Sequence, residues 1–87
     1  MARFYFHLRG PELARDHAGS EQAGLDAAKR HALALMAQTL VSRPDRFWET
    51  GVCQATVTDE TGVSLFTVTV EAVLAPALTS LARKLST

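Results

Sequence analysis

The chain of 87 residues has one cysteine, Cys53. A lone cysteine excludes an internal disulfide, so small size is not offset by a cross-link. That fits a reducing compartment, where Cys53 is expected to pack as a small hydrophobe. Neither sign of charge is in excess: nine Lys and Arg balance nine Asp and Glu. General nucleic-acid binders are usually basic, and anionic membrane surfaces attract the same excess, so neither is the expected main partner. No apolar run approaches the roughly 20 residues that span a bilayer. The opening MARFYFHLR is too short, and too interrupted by charge, for a secretory leader. The expected location is therefore the cytoplasm.

The usual spacings of reactive chemistry are also missing. His7, His17, His31 and Cys53 form no H-x-x-x-H or C-x-x-C pair. There is no G-x-S-x-G and no glycine-rich phosphate loop. The acidic pairs Asp59–Glu60 and Glu12–Asp16 fall in turn sequences, where solvated carboxylates are the rule. A domain this small, with one thin core, rarely encloses a deep pocket. The expectation is no enzyme: no catalytic residue, no metal and no cofactor.

What the chain does have is clear periodicity. Residues 3–9 alternate, with Phe4, Phe6 and Leu8 on one face and Tyr5, His7 and Arg9 on the other. Such alternation, rich in aromatics, predicts a strand. GPE at 10–12 predicts a turn, with Gly10 free to take positive φ. LARD at 13–16 is read as a short returning strand, and DHAGS at 16–20 as a second turn with Gly19 left-handed. Residues 21–41 predict a helix: Leu25, Ala28, Ala32, Met36 and Leu40 share a stripe, with Asp26, Arg30, His31 and Gln38 opposite. Ser20 can cap it, or Gly24 can mark its start. Pro44 ends it near Ser42. RPDRFWET at 43–50 is read as a connector. Strands at 52–58 and 63–71 flank a DETG hairpin loop in which Gly62 supplies the positive φ. Leu74, Leu78, Leu81 and Leu85 then recur at helical spacing, which predicts an amphipathic helix at about 75–85 with Pro76 in its first turn.

These elements assemble most economically as an α+β two-layer sandwich. We expect an antiparallel or mixed sheet of three to four strands, one long helix on one face and a short C-terminal helix, in the order β-β-α-β-β-α. Residues 1–87 form a single domain, with the sandwich in 3–72 and the amphipathic helix in 73–87. Phe4, Phe6, Leu8, Val57, Phe66, Val68 and Val70 would meet the helix stripe. Tyr5, His7, Arg9, Gln54, Thr56, Leu65, Thr67 and Thr69 would line the uncovered face.

RFYFHLRG, then Asp16, Gly19 and Glu21, then LDAAKRHAL, then VTDETGVSLFTVTV resembles a family of small bacterial proteins catalogued only as a domain of unknown function. Its pattern is an aromatic-Phe-His-Leu-Arg strand, a D-x-x-G-x-E turn, a Leu-acid-Ala-Ala helix start and an acid-acid-x-Gly hairpin. The likeness covers roughly residues 3–72. This chain has Gly10-Pro11 where the family often has Asp-Gly, and Thr69 where it often has Pro. The resemblance implies the fold and brings no activity with it.

Two surfaces are candidates for binding. The first is the Tyr5, His7 and Arg9 row, whose aromatic and basic character suits stacking on single-stranded nucleic acid. Its basic rim is thin, because cations beyond Arg3, Arg9 and Arg15 are scattered among acids. The DHAGS turn and following helix are also similar in topology to HicB-like antitoxins, although the Leu-Pro-Gly-Cys type stretch of that family is missing here. Nucleic acid is thus the alternative partner. The second surface is the Leu74, Leu78, Leu81 and Leu85 stripe. Together with zero net charge it suggests a protein-interaction module, most simply a homodimer.

Overall fold

A computed structural model describes residues 1–85. The elements are β1 (Ala2–Arg9), β2 (Leu13–Ala14), β3 (Ser20–Gln22), α1 (Leu25–Ser42), α2 (Pro44–Thr50), β4 (Val52–Thr58), β5 (Ser64–Glu71) and α3 (Pro76–Leu85). Ser86 and Thr87, the end of the expected 73–87 segment, lie outside the described residues.

The sheet is wholly antiparallel, in the order β2-β1-β4-β5, with β3 also pairing with β1. Phe6 stands opposite Val57, and Val57 opposite Phe66. This register puts the alternating apolar residues of three strands on one face, as strand periodicity requires. α1 packs over β1, β3 and β4. Ala28 and Ala32, fully buried, let it approach closely, while Phe4, Phe6 and Val57 fill the layer between. A second cluster, Met36, Cys53 and Ala55, lies toward the C-terminal end of α1.

The expected two-layer α+β fold is present, with differences of detail. The sheet has five strands, because Ser20–Gln22 pairs with Ala2–Phe4 instead of opening the helix. Of the two starts open to the helix, the one at Gly24 is taken, and its carbonyl accepts the Ala28 N–H at 3.0 Å. The segment read as a connector is a helix, α2, because Pro44 occupies its first turn, where its missing N–H has no cost. That helix closes at Gly51, with φ +71, and sets Phe47 against the second cluster. Leu25 is half exposed rather than core, and His31 lies edge-on to Phe6 with ring centroids 4.7 Å apart. Positive φ occurs at Gly19, Gly51 and Gly62 and not at Gly10.

The molecule is elongated. Its radius of gyration is 16.2 Å, against about 12 Å for a compact domain of this length. None of the residues of α3 is buried.

Candidate interaction surfaces

β1 is finished on its outer edge by side chains as much as by backbone. Leu8 pairs with Ala14, and Phe4 with Ser20. Four steps along β1 therefore face six along the returning chain, and two extra residues must leave the ladder. Asp16 fills the gap. Its Oδ2 accepts the Phe6 N–H at 3.1 Å, in place of a ladder carbonyl. Its Oδ1 accepts the N–H groups of Ala18 (3.2 Å) and Gly19 (3.0 Å), which closes the turn. Partial burial pulls the Asp16 carboxyl upward. The Gly19, Phe6 and Ala18 N–H donors, with the nearby His7, outweigh it and hold the group below the ordinary carboxylate range.

Gly19 is required by both shape and space. Its φ is +74, and a Cβ there would lie 2.9 Å from Arg3 Cγ and from Tyr5 Cε2. Arg3 crosses the same turn, donating to Ala18 O at 2.8 Å and pairing with Glu21 at 3.0 Å. The D-x-x-G-x-E pattern is thus a strand-edge device: Asp16 replaces a ladder acceptor, Gly19 admits Tyr5, and Glu21 anchors Arg3.

The same network fixes His7. Its Nδ1 accepts the Asp16 N–H at 3.1 Å. A nitrogen that accepts carries no proton, so in the neutral ring the proton is on Nε2. Nε2 then donates to Thr58 Oγ1 at 3.3 Å. His7 next to a hydroxyl superficially suggests a base and a nucleophile. In this tautomer it cannot take the Thr58 proton, because the nitrogen facing Thr58 already holds one.

Of the sequence row, Tyr5 and His7 are half-buried and only Arg9 is exposed. They line a shallow depression of about 480 Å³ whose charged rim is Arg9, Arg15, Asp59 and Glu60. The two arginines therefore share the depression with two carboxylates. Asp59 is committed to its turn. It accepts the Thr61 hydroxyl at 2.7 Å and the Val63 N–H at 3.0 Å, which hold it below the usual range. Cross-strand pairs Gln54–Thr69 and Thr56–Thr67 cover the rest of this face.

α3 and the residues leading into it carry the other candidate surface. Leu74, Leu78, Leu81 and Leu85 are 62, 43, 49 and 76% exposed, and Val73 just before them is 84% exposed. Arg83 and Lys84 occupy the last turn, where cations suit the helix dipole.

Sequence reasoning missed one hollow, because it took 43–50 as a connector. Leu8, Leu40, Phe47 and Cys53 line a cleft of about 200 Å³, with Arg43 and the Glu12–Arg46 pair (2.6 Å) also lining it. Burial pushes the Cys53 thiol up, away from the reactive thiolate. Pro44 followed by an aromatic pair was the available signal for the helix that makes this wall. Among the described residues, no three His, Cys, Asp or Glu side chains are placed to hold a metal ion, and no helix is long and apolar enough to cross a membrane.

No curated protein and no solved structure matches this chain. A family model does, over residues 3–71, which takes in every strand together with α1 and α2 and ends before α3. The chain belongs to that family, described as a domain of unknown function (DUF6894).

Proposed function

We propose that this chain is a non-enzymatic interaction module that pairs with a second copy of itself through its C-terminal helix. The observation that carries the reading is α3, a leucine-striped helix with no buried residue, set outside the family domain. An exposed apolar stripe of this kind marks a contact surface. Zero net charge leaves little repulsion between copies. The non-enzymatic part is supported by His7, whose tautomer makes it a donor to Thr58, and by the protonated, buried Cys53. The acids that share the depression with Arg9 and Arg15 argue against the nucleic-acid alternative on the open face.

Light scattering across a concentration series tests this directly. The full chain should move from monomer to dimer, and a chain truncated after Ala75 should remain monomeric and folded. A full chain that stays monomeric at the highest concentration overturns the reading. Salt-dependent binding of single-stranded RNA, lost in Tyr5→Ala with Arg9→Ala, would favour the alternative.

A further inference from the structure

We infer that α3 of one copy lies along the helix-side strip of β5 in the other copy, and that the exchange is reciprocal. This rests on the self-association proposed above and names the surface that receives the helix.

The receiving strip is the part of the sheet that α1 leaves open. α1 packs chiefly over β1, β3 and β4, and β5 meets only the margin of the clusters it forms with them. Phe66, Val68 and Val70 point to the helix side of β5 and touch the core, yet each is only half-buried. A second helix laid there would complete the cover of this face. The chain has one spare helix, and that helix has one spare apolar stripe. Ridge and groove are thus both present in a single sequence, as a self-complementary, two-fold contact requires.

The linker decides between the chain's own β5 and a partner's. The backbone is fixed to the sheet as far as Ala72, whose N–H donates to Gly51 O at 2.7 Å. α3 starts at Pro76, so only Val73, Leu74 and Ala75 are available to turn the chain back. None of the three is a turn former, and Val73 is β-branched. Ala75 precedes proline, which biases it toward extended geometry. A linker of this composition carries the helix away from its own strand, in keeping with the long axis of 56 Å against 21 and 20 Å. A second copy can present β5 without any such reversal.

The area suffices. Covering Val73, Leu74, Leu78, Leu81 and Leu85 and the strip beneath them, twice over, removes on the order of 1,000–1,200 Å² from water. That is at the threshold for a specific dimer, so the expected association is weak to moderate.

Photo-crosslinking in the full chain separates the outcomes. Leu81 is replaced by benzoylphenylalanine, which α3 tolerates because none of its residues is buried. The labelled chain is mixed with a ¹⁵N-enriched unmodified chain, irradiated, and mapped by mass spectrometry, with light scattering on the same mixture. The expected result is a dimer with cross-links from position 81 to residues 64–71 of the ¹⁵N chain. Cross-links from position 81 to β5 of its own chain overturn the exchange. A dimer with cross-links only to α3 of the other copy, or with none, overturns the seating on β5 but leaves self-association standing. A monomer by light scattering overturns both. As an independent readout, Leu78→Glu with Leu81→Glu should weaken association at least about 10-fold; an unchanged dimer overturns the helix as its contact.

Discussion

Along its β1 side the sheet ends in β2, β3 and the Asp16 turn. Along its β5 side it ends in an eight-residue strand with nothing beyond it. On the first side the N–H of Phe6 meets a carboxylate, the two ring nitrogens of His7 meet Asp16 and Thr58, and Gly19 lets Tyr5 lie against the turn. On the second side Phe66, Val68 and Val70 remain half-buried, and the following helix has no buried residue. The family domain spans the first side completely and stops as β5 ends. Polar precision at one edge and unspent apolar surface at the other serve different ends. The first fixes a small fold, and under the proposed self-association the second is the contact. An uncapped edge is a liability unless it is covered, and β5 contains neither Lys nor Pro to blunt it.

The contrast can be broken hardest in the core that both sides share. Phe6 is 5% exposed and sits between α1 and β4. Phe6→Ala should cost about 3–5 kcal/mol, a large part of the margin of so small a domain. Urea denaturation would show it; a loss under about 1 kcal/mol would mean the core is not closed around this ring.

Next in size is Gly19→Ala. The left-handed backbone alone costs about 1–2 kcal/mol with a Cβ, and contacts at 2.9 Å with Arg3 and Tyr5 add to it. Gly62, whose φ is +87 but whose Cβ would meet open space, provides the control. Gly62→Ala should cost the backbone part only. Equal losses at the two glycines would show that close approach at the β1 edge contributes nothing.

Asp16 comes third and adds a pH signature. Asp16→Ala leaves three backbone donors without their acceptor, for about 1–3 kcal/mol. Its folded pKa is depressed, so its contribution is complete above the unfolded value near 3.9 and is lost as pH falls through the folded one. Thermal melts of the parent chain should therefore weaken in acid below about pH 4, with a flatter profile in Asp16→Asn. Asp59 shifts in the same direction, so a smaller slope should persist. An acid profile identical in parent and variant would remove Asp16 from the account.

These residues also mark how far sequence alone reaches. The alternation of β1 and the DETG hairpin are local, period-two patterns, and both appear where periodicity puts them. β3 was not legible. Ser20, Glu21 and Gln22 have no apolar alternation, and they pair with β1 only because the Asp16 turn delivers them there. α2 was hidden by Pro44, which stops one helix and starts the next with the same fixed φ. Tyr5, His7 and Arg9 were correctly put on the face opposite Phe4 and Phe6, but the engagement of His7 depends on Thr58, 51 residues away. The leucine stripe was plain in the spacing; that nothing among the described residues buries it was not, because periodicity shows a face and not its occupant.

The smallest expected effect sharpens the comparison most. Leu81 is 49% exposed, on a helix without buried residues. In a chain dilute enough to be monomeric, Leu81→Ser should change unfolding free energy by no more than about 0.5 kcal/mol, as for other surface substitutions. At concentrations where the chain dimerises, the same substitution should lower the melting temperature, because association stabilises only the folded state. The Asp16→Ala loss, by contrast, should be independent of concentration. Melts of parent, Leu81→Ser and Asp16→Ala at two protein concentrations therefore assign each edge its role. A Leu81 effect that persists undiminished on dilution would mean that α3 packs on its own chain. The two sides of the sheet would then both serve the fold.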